Sequence, residues 1–432
     1  MKSKCVVLSI AALLLVCSFA FSKGQQQEAK EAVKKLGVLW HQSNIPDDKI
    51  VEEYANAWAD ENGVDLNFQI VDESQLKSKT VAALESKSGP DLILLSDYSA
   101  YLYRNSFSNI NDLVNGLGEK HGGWFPIAKQ AFFFKNNWIA VPYKIVVKPI
   151  VYRKDIVQKV GAKVPDTLQD LADVSTKISN QIEGMYGFGV AMAPRSDGPD
   201  FMRVMLWGFG GKIQDENGKI AFNSPESLTT YRFLKDWYNR GGIAPGVAGW
   251  DDSDNNRAFM AEQIAMTLNA SSIYMAAKKD FPDTLGKATG HAMVPKGPAG
   301  RFVPGSTQGI GIPLYSENKE LAIEFLKYMY TAERLKRITV DTDGGAMMVL
   351  NTVMDGLPMW DDPELGALLD VAKVSYLVGY PGKLTRPAAA VRSGYVLVNA
   401  AGRMLSENLS PEQTVQFAAK EIEEIYTRYQ EE

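Results

Sequence analysis

Val64, Leu66, Phe68 and Ile70 alternate strictly with polar residues, which predicts a strand with one buried face. The pattern changes on either side. Leu36 to Trp40 is a short apolar run ending in the polar loop His41 to Pro46, a buried strand and its exit. Ile50, Val51, Tyr54, Ala57 and Trp58 recur at helical spacing, and Asn62-Gly63 stops them. Leu76 to Ser86 is helical again. Gly89-Pro90 breaks that helix, and Asp91 to Leu95 reads as a strand ending at Ser96-Asp97-Tyr98. The order β-α-β-α-β predicts a parallel sheet with helices on both faces, with ligands taken at the carboxyl ends of the strands. Those ends carry Trp40, His41, Gln42, Ser96, Asp97 and Tyr98.

Ala140-Val141-Pro142-Tyr143-Lys144, followed by Ile145 to Arg153, reads as one long extended segment. It is expected to cross from one lobe to another, with the functional site in the cleft between them. Beyond it, Met185 to Met192 is strand-like and Phe201 to Trp207 is helical. Ser224-Pro225-Glu226 is a strong helix start, with Leu228, Tyr231, Leu234, Trp237 and Tyr238 on the buried face. Trp250-Asp251-Asp252 is expected to open a helix leading into the strand Gln263 to Asn269, which hands the chain back to the first lobe. Ser316 is read as the cap of a helix carrying Leu321, Phe325, Leu326 and Met329. Ser410-Pro411-Glu412 opens the C-terminal helix.

A chain of 432 residues is too long for one ordinary core, so two lobes are expected. The net charge of −5, with no basic stripe, argues against a nucleic-acid partner. Residues 1–22 resemble a signal peptide: Lys2 and Lys4, an apolar run from Val6 to Phe21, and a small-residue cleavage site at Ala20-x-Ser22. Export with cleavage after Ser22 is expected, to a periplasmic or extracellular location. Both cysteines, Cys5 and Cys17, fall in this segment, so the mature chain would hold no thiol. Cys17 could instead carry a lipid anchor, although Val16 stands where a small residue is wanted. No later run is long and apolar enough to cross a membrane.

Three stretches carry a family resemblance. Gly89-Pro90-Asp91-Leu92-Ile93-Leu94-Leu95-Ser96-Asp97-Tyr98 is similar to a strand and ligand loop of the extracellular solute-binding proteins of ABC importers, in the maltose-binding-like, sugar-binding branch. Trp138 to Lys144 with Val151-Tyr152-Arg153-Lys154-Asp155 looks like that family's crossing strand. Val164-Pro165-Asp166-Thr167 stands where the family has a Pro-x-Thr-Trp turn, with Leu168 replacing the usual Trp. Further matches are Trp207 to Gly211 through Ser224, Gln263 to Asn269 (with Glu262-Gln263 in place of Gly-Lys), Pro295-Lys296-Gly297-Pro298 with Gly309 to Ile312, and Arg386-Pro387.

The resemblance implies an α/β protein of the two-lobed periplasmic-binding-protein fold, type II, with discontinuous lobes, a hinge and a central ligand cleft. Lobe 1 is expected to comprise 36–144 plus 270–335, and lobe 2 145–269 plus 336–432, with crossings near Tyr143, Asn269 and Arg337. It also implies a monomeric receptor that captures a mono- or oligosaccharide and delivers it to ABC permease membrane subunits, without cofactor. A polyol, a glycerophosphodiester or another small polar metabolite is the alternative solute.

Sugar recognition needs aromatic faces for the ring and planar polar groups for the hydroxyls. The candidate ligand-binding residues are Trp40, His41, Gln42, Asp97, Tyr143, Lys144, Trp207, Trp250, Asn269 and Gln308. Each has a plain alternative. His41 could be a solvated loop histidine, and Asp97 could cap the next helix. Trp58 and Trp237 sit on helix faces and read as core, while Trp360 flanks a loop. Arg386 reads as structural. Asp252-x-Asp254-x-Asn256 begins like a calcium loop, but Arg257 replaces the needed glycine and Gln263 the closing glutamate, so no metal is expected. A secreted glycoside-acting enzyme is the rival class. The chain has no G-x-S-x-G, H-E-x-x-H, P-loop or C-x-x-C, and no catalytic residue is assigned.

Overall fold

The computed structural model describes residues 33–195 and 197–430. The expected signal segment 1–22, with Cys5 and Cys17, lies outside them. Among the described residues, no helix is long and apolar enough to cross a membrane.

Two sheets organise the chain. Their strands are β1 (Lys34–His41), β2 (Val64–Val71), β3 (Leu92–Ser96), β4 (Val141–Val146), β5 (Ile150–Arg153), β6 (Tyr186–Phe188), β7 (Ile264–Leu268), β8 (Thr289–Ala292), β9 (Ser306–Gly311) and β10 (Met347–Met348). The larger sheet has six strands in the order β10-β4-β9-β3-β1-β2, and the smaller has four in the order β8-β5-β7-β6. β1 runs parallel to β2, from Lys34 beside Val64 to His41 beside Val71, and parallel to β3 at Val38 and Leu92. The alternation of β2 and the apolar runs of β1 and β3 foretell this. The sheet is mixed rather than parallel throughout, because β9 and β10 run antiparallel to their neighbours. Both reach the sheet from the cleft end, where Gln308 pairs with Ser96, and run away from it.

The extended segment after Ala140 is two strands on two sheets. β4 ends at Val146 and β5 starts at Ile150, so the first crossing is Val147-Lys148-Pro149, a few residues beyond Tyr143. Proline removes a backbone donor and suits such a break between sheets. The chain does not cross at Asn269. The backbone N–H of Asn269 donates to the Pro149 carbonyl (3.2 Å), and the chain continues to β8, which pairs with β5. Residues 289–292 therefore belong to the smaller sheet, and the return follows Ala292. Arg337 is no crossing either. It lies on the helix Ala332–Asp341 and pairs with Glu53 (3.0 Å) of the helix Asp47–Asn62. β10 then pairs with β4, so residues 347–348 remain on the larger sheet.

Local signals for helix starts hold in part. Ser224 Oγ accepts from the backbone of Ser227, and Ser410 Oγ from that of Gln413, at the starts of Pro225–Asn239 and Pro411–Gln430. The helix expected at Trp250 begins at Asp254. The one expected at Ser316 begins at Lys319, with Asn318 at its cap position; Ser316 Oγ donates to Asp91 (2.7 Å) and accepts from the backbone of Asn318 (3.2 Å). Trp58 and Trp237 lie in the core, as their helix faces imply.

Candidate functional site

A cleft of about 560 Å³ opens between the sheets, a size suited to a small ligand. The larger sheet lines it with strand ends and the loops that leave them: His41 to Ile45 after β1, Asp72 to Ser74 after β2, and Ser96, Tyr98 and Ser99 after β3. Lys144 of β4 and Ser306 and Gln308 of β9 complete that side. The other side supplies Arg195, Asp197, Asp251 to Ser253, Asn269 and Arg392, with Lys148 in the crossing.

The wall is polar and charged, and its charges are mostly paired. Lys144 Nζ reaches Asp47 Oδ2 at 2.6 Å, and the Tyr143 hydroxyl donates to the same oxygen at 3.0 Å. Lys148 Nζ sits 2.9 Å from both Asp197 and Asp200, while Arg203 holds the other oxygen of Asp200 at 2.5 Å. Against its burial, Asp200 is held well below the usual carboxylate range by Lys148, Arg203 and Arg392. Asp97, behind the wall, goes the other way. Burial pushes it up to about 6, against the pull of Arg203 and Arg392. Burial lowers His41, which favours its neutral form.

The lobes also touch along one seam. Helix Arg386–Ser393 packs beside the helix Asp97–Leu102. Lys77 donates to the Ser393 carbonyl (2.9 Å), and the hydroxyls of Tyr98 (3.0 Å) and Tyr395 (3.1 Å) converge on Glu73 Oε1.

Of the candidates from sequence, His41, Gln42, Lys144, Asn269 and Gln308 line the cleft together. Five stand elsewhere. Trp40 is buried behind the strand end, edge-on to Tyr143 at 5.3 Å, and Tyr143 itself is buried. Asp97 is buried next to Ser96, and it is Ser96 that caps the helix. Trp207 lies in the core between Arg203 (5.4 Å) and Tyr380 (5.1 Å). Trp250 is half-buried one residue before the lining Asp251, with its ring over Gly189. Trp360 donates to the Met354 carbonyl at 2.9 Å. The stacking platform expected of tryptophans is therefore not on the wall.

Sequence reasoning missed Lys148, Glu73, Lys77, Asp197 and Arg392. One of them left a signal: Lys148 is a single charge inside an apolar extended run, next to a proline. Among the described residues, no group of three or more His, Cys, Asp or Glu could hold a metal ion.

Residues 42–334 match the family model described as bacterial extracellular solute-binding protein. The arabinooligosaccharide-binding protein of Bacillus subtilis (strain 168) is 23% identical over 346 residues, 77% of each chain. A maltose-bound structure, MalE3 of T. maritima, superposes with a TM-score of 0.80 at 20% identity, covering 90% of this chain and 99% of that one. A solute-binding protein of Thermotoga lettingae TMO bound with alpha-D-tagatose gives 0.80 at 19% identity, covering 91% and 99%. The fold is the two-lobed α/β architecture of these binding proteins.

Proposed function

The chain belongs to the family of bacterial extracellular solute-binding proteins, and we propose that it captures a sugar in the cleft and delivers it to the permease subunits of an ABC transporter. The family binds solutes for ABC transporters and is not one of enzymes, so no covalent chemistry is assigned. One observation carries the sugar reading: a cleft of about 560 Å³ is lined from both sheets by amide, hydroxyl and charged side chains, with Gln308 and Asn269 on opposite sides. Such groups match the hydroxyls of a small carbohydrate. A relative named for an arabinooligosaccharide, and neighbours bound to maltose and to tagatose, support the same class. The ligand-binding set is His41, Gln42, Lys144, Asn269 and Gln308, joined by Lys148 and Arg392.

The mechanism is differential binding. A solute touching both walls binds the closed arrangement better than an open one, and so draws the lobes together about the crossings. The first lobe is taken as the six-stranded sheet with its helices, the second as the four-stranded sheet with the C-terminal helices. The test is thermal unfolding of the purified protein against sugars, polyols and amino acids. A ligand of the folded state raises the melting temperature with concentration. A rise with sugars and none with amino acids is expected; the reverse would overturn the sugar assignment, and consumption of the sugar would overturn the receptor.

A further inference from the structure

Hydrogen-bonding capacity on the cleft wall is uneven. Every acidic side chain there is served from within the protein. Asp72 accepts from the backbone and hydroxyl of Ser74 and from Gln75. Glu73 takes two tyrosine hydroxyls. Asp197 holds Lys148 and Asn255, Asp251 takes the N–H groups of Ser253 and Asp254, and Asp252 takes that of Asp197.

Arg392 is not so served. Its side chain is 6% exposed, and its Nη1 has no hydrogen-bond partner. The nearest carboxylate oxygen, on Asp200, is 3.9 Å away and already receives Arg203. The guanidinium stands over the Tyr98 ring at 5.0 Å, so that ring face is occupied and offers no stacking surface to a neutral pyranose. A second cation, Lys77, is exposed on the facing lobe, with a backbone carbonyl as its hydrogen-bond partner. Across the cleft, Gln308 Oε1 is a buried acceptor with no donor. A buried guanidinium N–H left unpaired is costly, and a carboxylate is its strongest partner.

We propose that the cleft takes a sugar acid, a small polyhydroxylated solute ending in a carboxylate, with Arg392 as the carboxylate-binding residue and Gln308 accepting from a ligand hydroxyl. This rests on the sugar-receptor reading above and narrows it. Arg392 projects from the second lobe at the seam with the first, so the carboxylate is held only when the lobes meet.

The experiment is calorimetric titration of the purified protein with D-galacturonate and D-gluconate, their neutral counterparts D-galactose and D-sorbitol, glucose 6-phosphate and an amino-acid panel. At least one acid is expected to bind tenfold or more tighter than its neutral counterpart. Arg392→Gln, checked for a cooperative melt, is expected to collapse that ratio, and Arg392→Lys to restore part of it. The wild-type ratio is decisive even where a variant fails to fold. Neutral sugars binding as tightly as the acids would overturn the carboxylate assignment and leave the sugar receptor standing. Tighter binding of the phosphate, or an acid preference that survives Arg392→Gln in a folded variant, would also overturn it. Binding of an amino acid with no sugar, neutral or acidic, would overturn both readings.

Discussion

Two buried lysines four positions apart, Lys144 and Lys148, solve the same problem in opposite ways. Lys144 lies in β4 and meets one carboxylate, Asp47, within the same lobe. Lys148 lies in the crossing and binds two carboxylates, Asp197 and Asp200, on a single helix of the other lobe. The first pair closes a local gap in one wall. The second fastens the crossing to the helix Asp197–Gly208.

The largest effect is expected from breaking the second arrangement. Lys148→Met leaves two carboxylates buried beside Arg203 and should cost about 4–5 kcal/mol in chemical denaturation. Restoring one carboxylate's neutrality should not recover it. Lys144→Met leaves one, for about 3 kcal/mol. Adding Asp47→Asn should then return part of the loss, because no charge stays buried while the Tyr143 hydroxyl keeps its acceptor. Equal losses, or a rescue at Lys148 by one substitution, would dissolve the contrast between the two lysines.

The second cluster also responds to pH through Asp97. Its pKa in the folded chain, about 6, lies above the unfolded value, so the folded state holds the extra proton between about pH 4 and pH 6. Stability from this group is therefore lost as pH rises through that window. Asp97→Asn removes the loss, so the variant should gain on the native protein between pH 4 and pH 7. The gain is about 3 kcal/mol, from a shift of about two units. Denaturation midpoints at both pH values measure it, and a constant difference between the proteins would refute it. At the bottom of the scale, Arg337→Ala removes exposed pairs with Glu53 and Asp341 and a contact with the Tyr54 ring, and should move the midpoint by no more than about 1 kcal/mol.

How much could be read from the residues follows from how local each signal is. The alternation of β2, the apolar runs of β1 and β3 and the serine caps at Ser224 and Ser410 are local, and they appear where the pattern sets them. The crossings are not local. Nothing within Gln263 to Asn269 says that the next strand, β8, pairs with β5, since that depends on a partner more than a hundred residues away. The site divides in the same way. Strand ends announced His41 and Gln42, yet Trp40 on the same end points into the core against Tyr143 and Phe68. A shift of one position on a strand reverses the face, and an apolar run buried on both faces gives no sign of which face is which. Arg392 sits in an alanine-rich helix whose sequence reads as plain packing, and only the seam with Tyr98 and Glu73 makes it part of the wall.

The larger sheet has a bearing on how the protein comes into being. Among the described residues, β4 has no strand partner before Ser306, because its neighbours are β9 and β10. A growing chain thus presents β1, β2 and β3 early, but cannot join them to β4 until Ser306–Gly311 has been made. Assembly that waits on pairings so distant in sequence is slow. For a chain of an extracellular family, late assembly means that most of the polypeptide leaves the ribosome without a finished lobe, in the pliant condition that passage across a membrane requires.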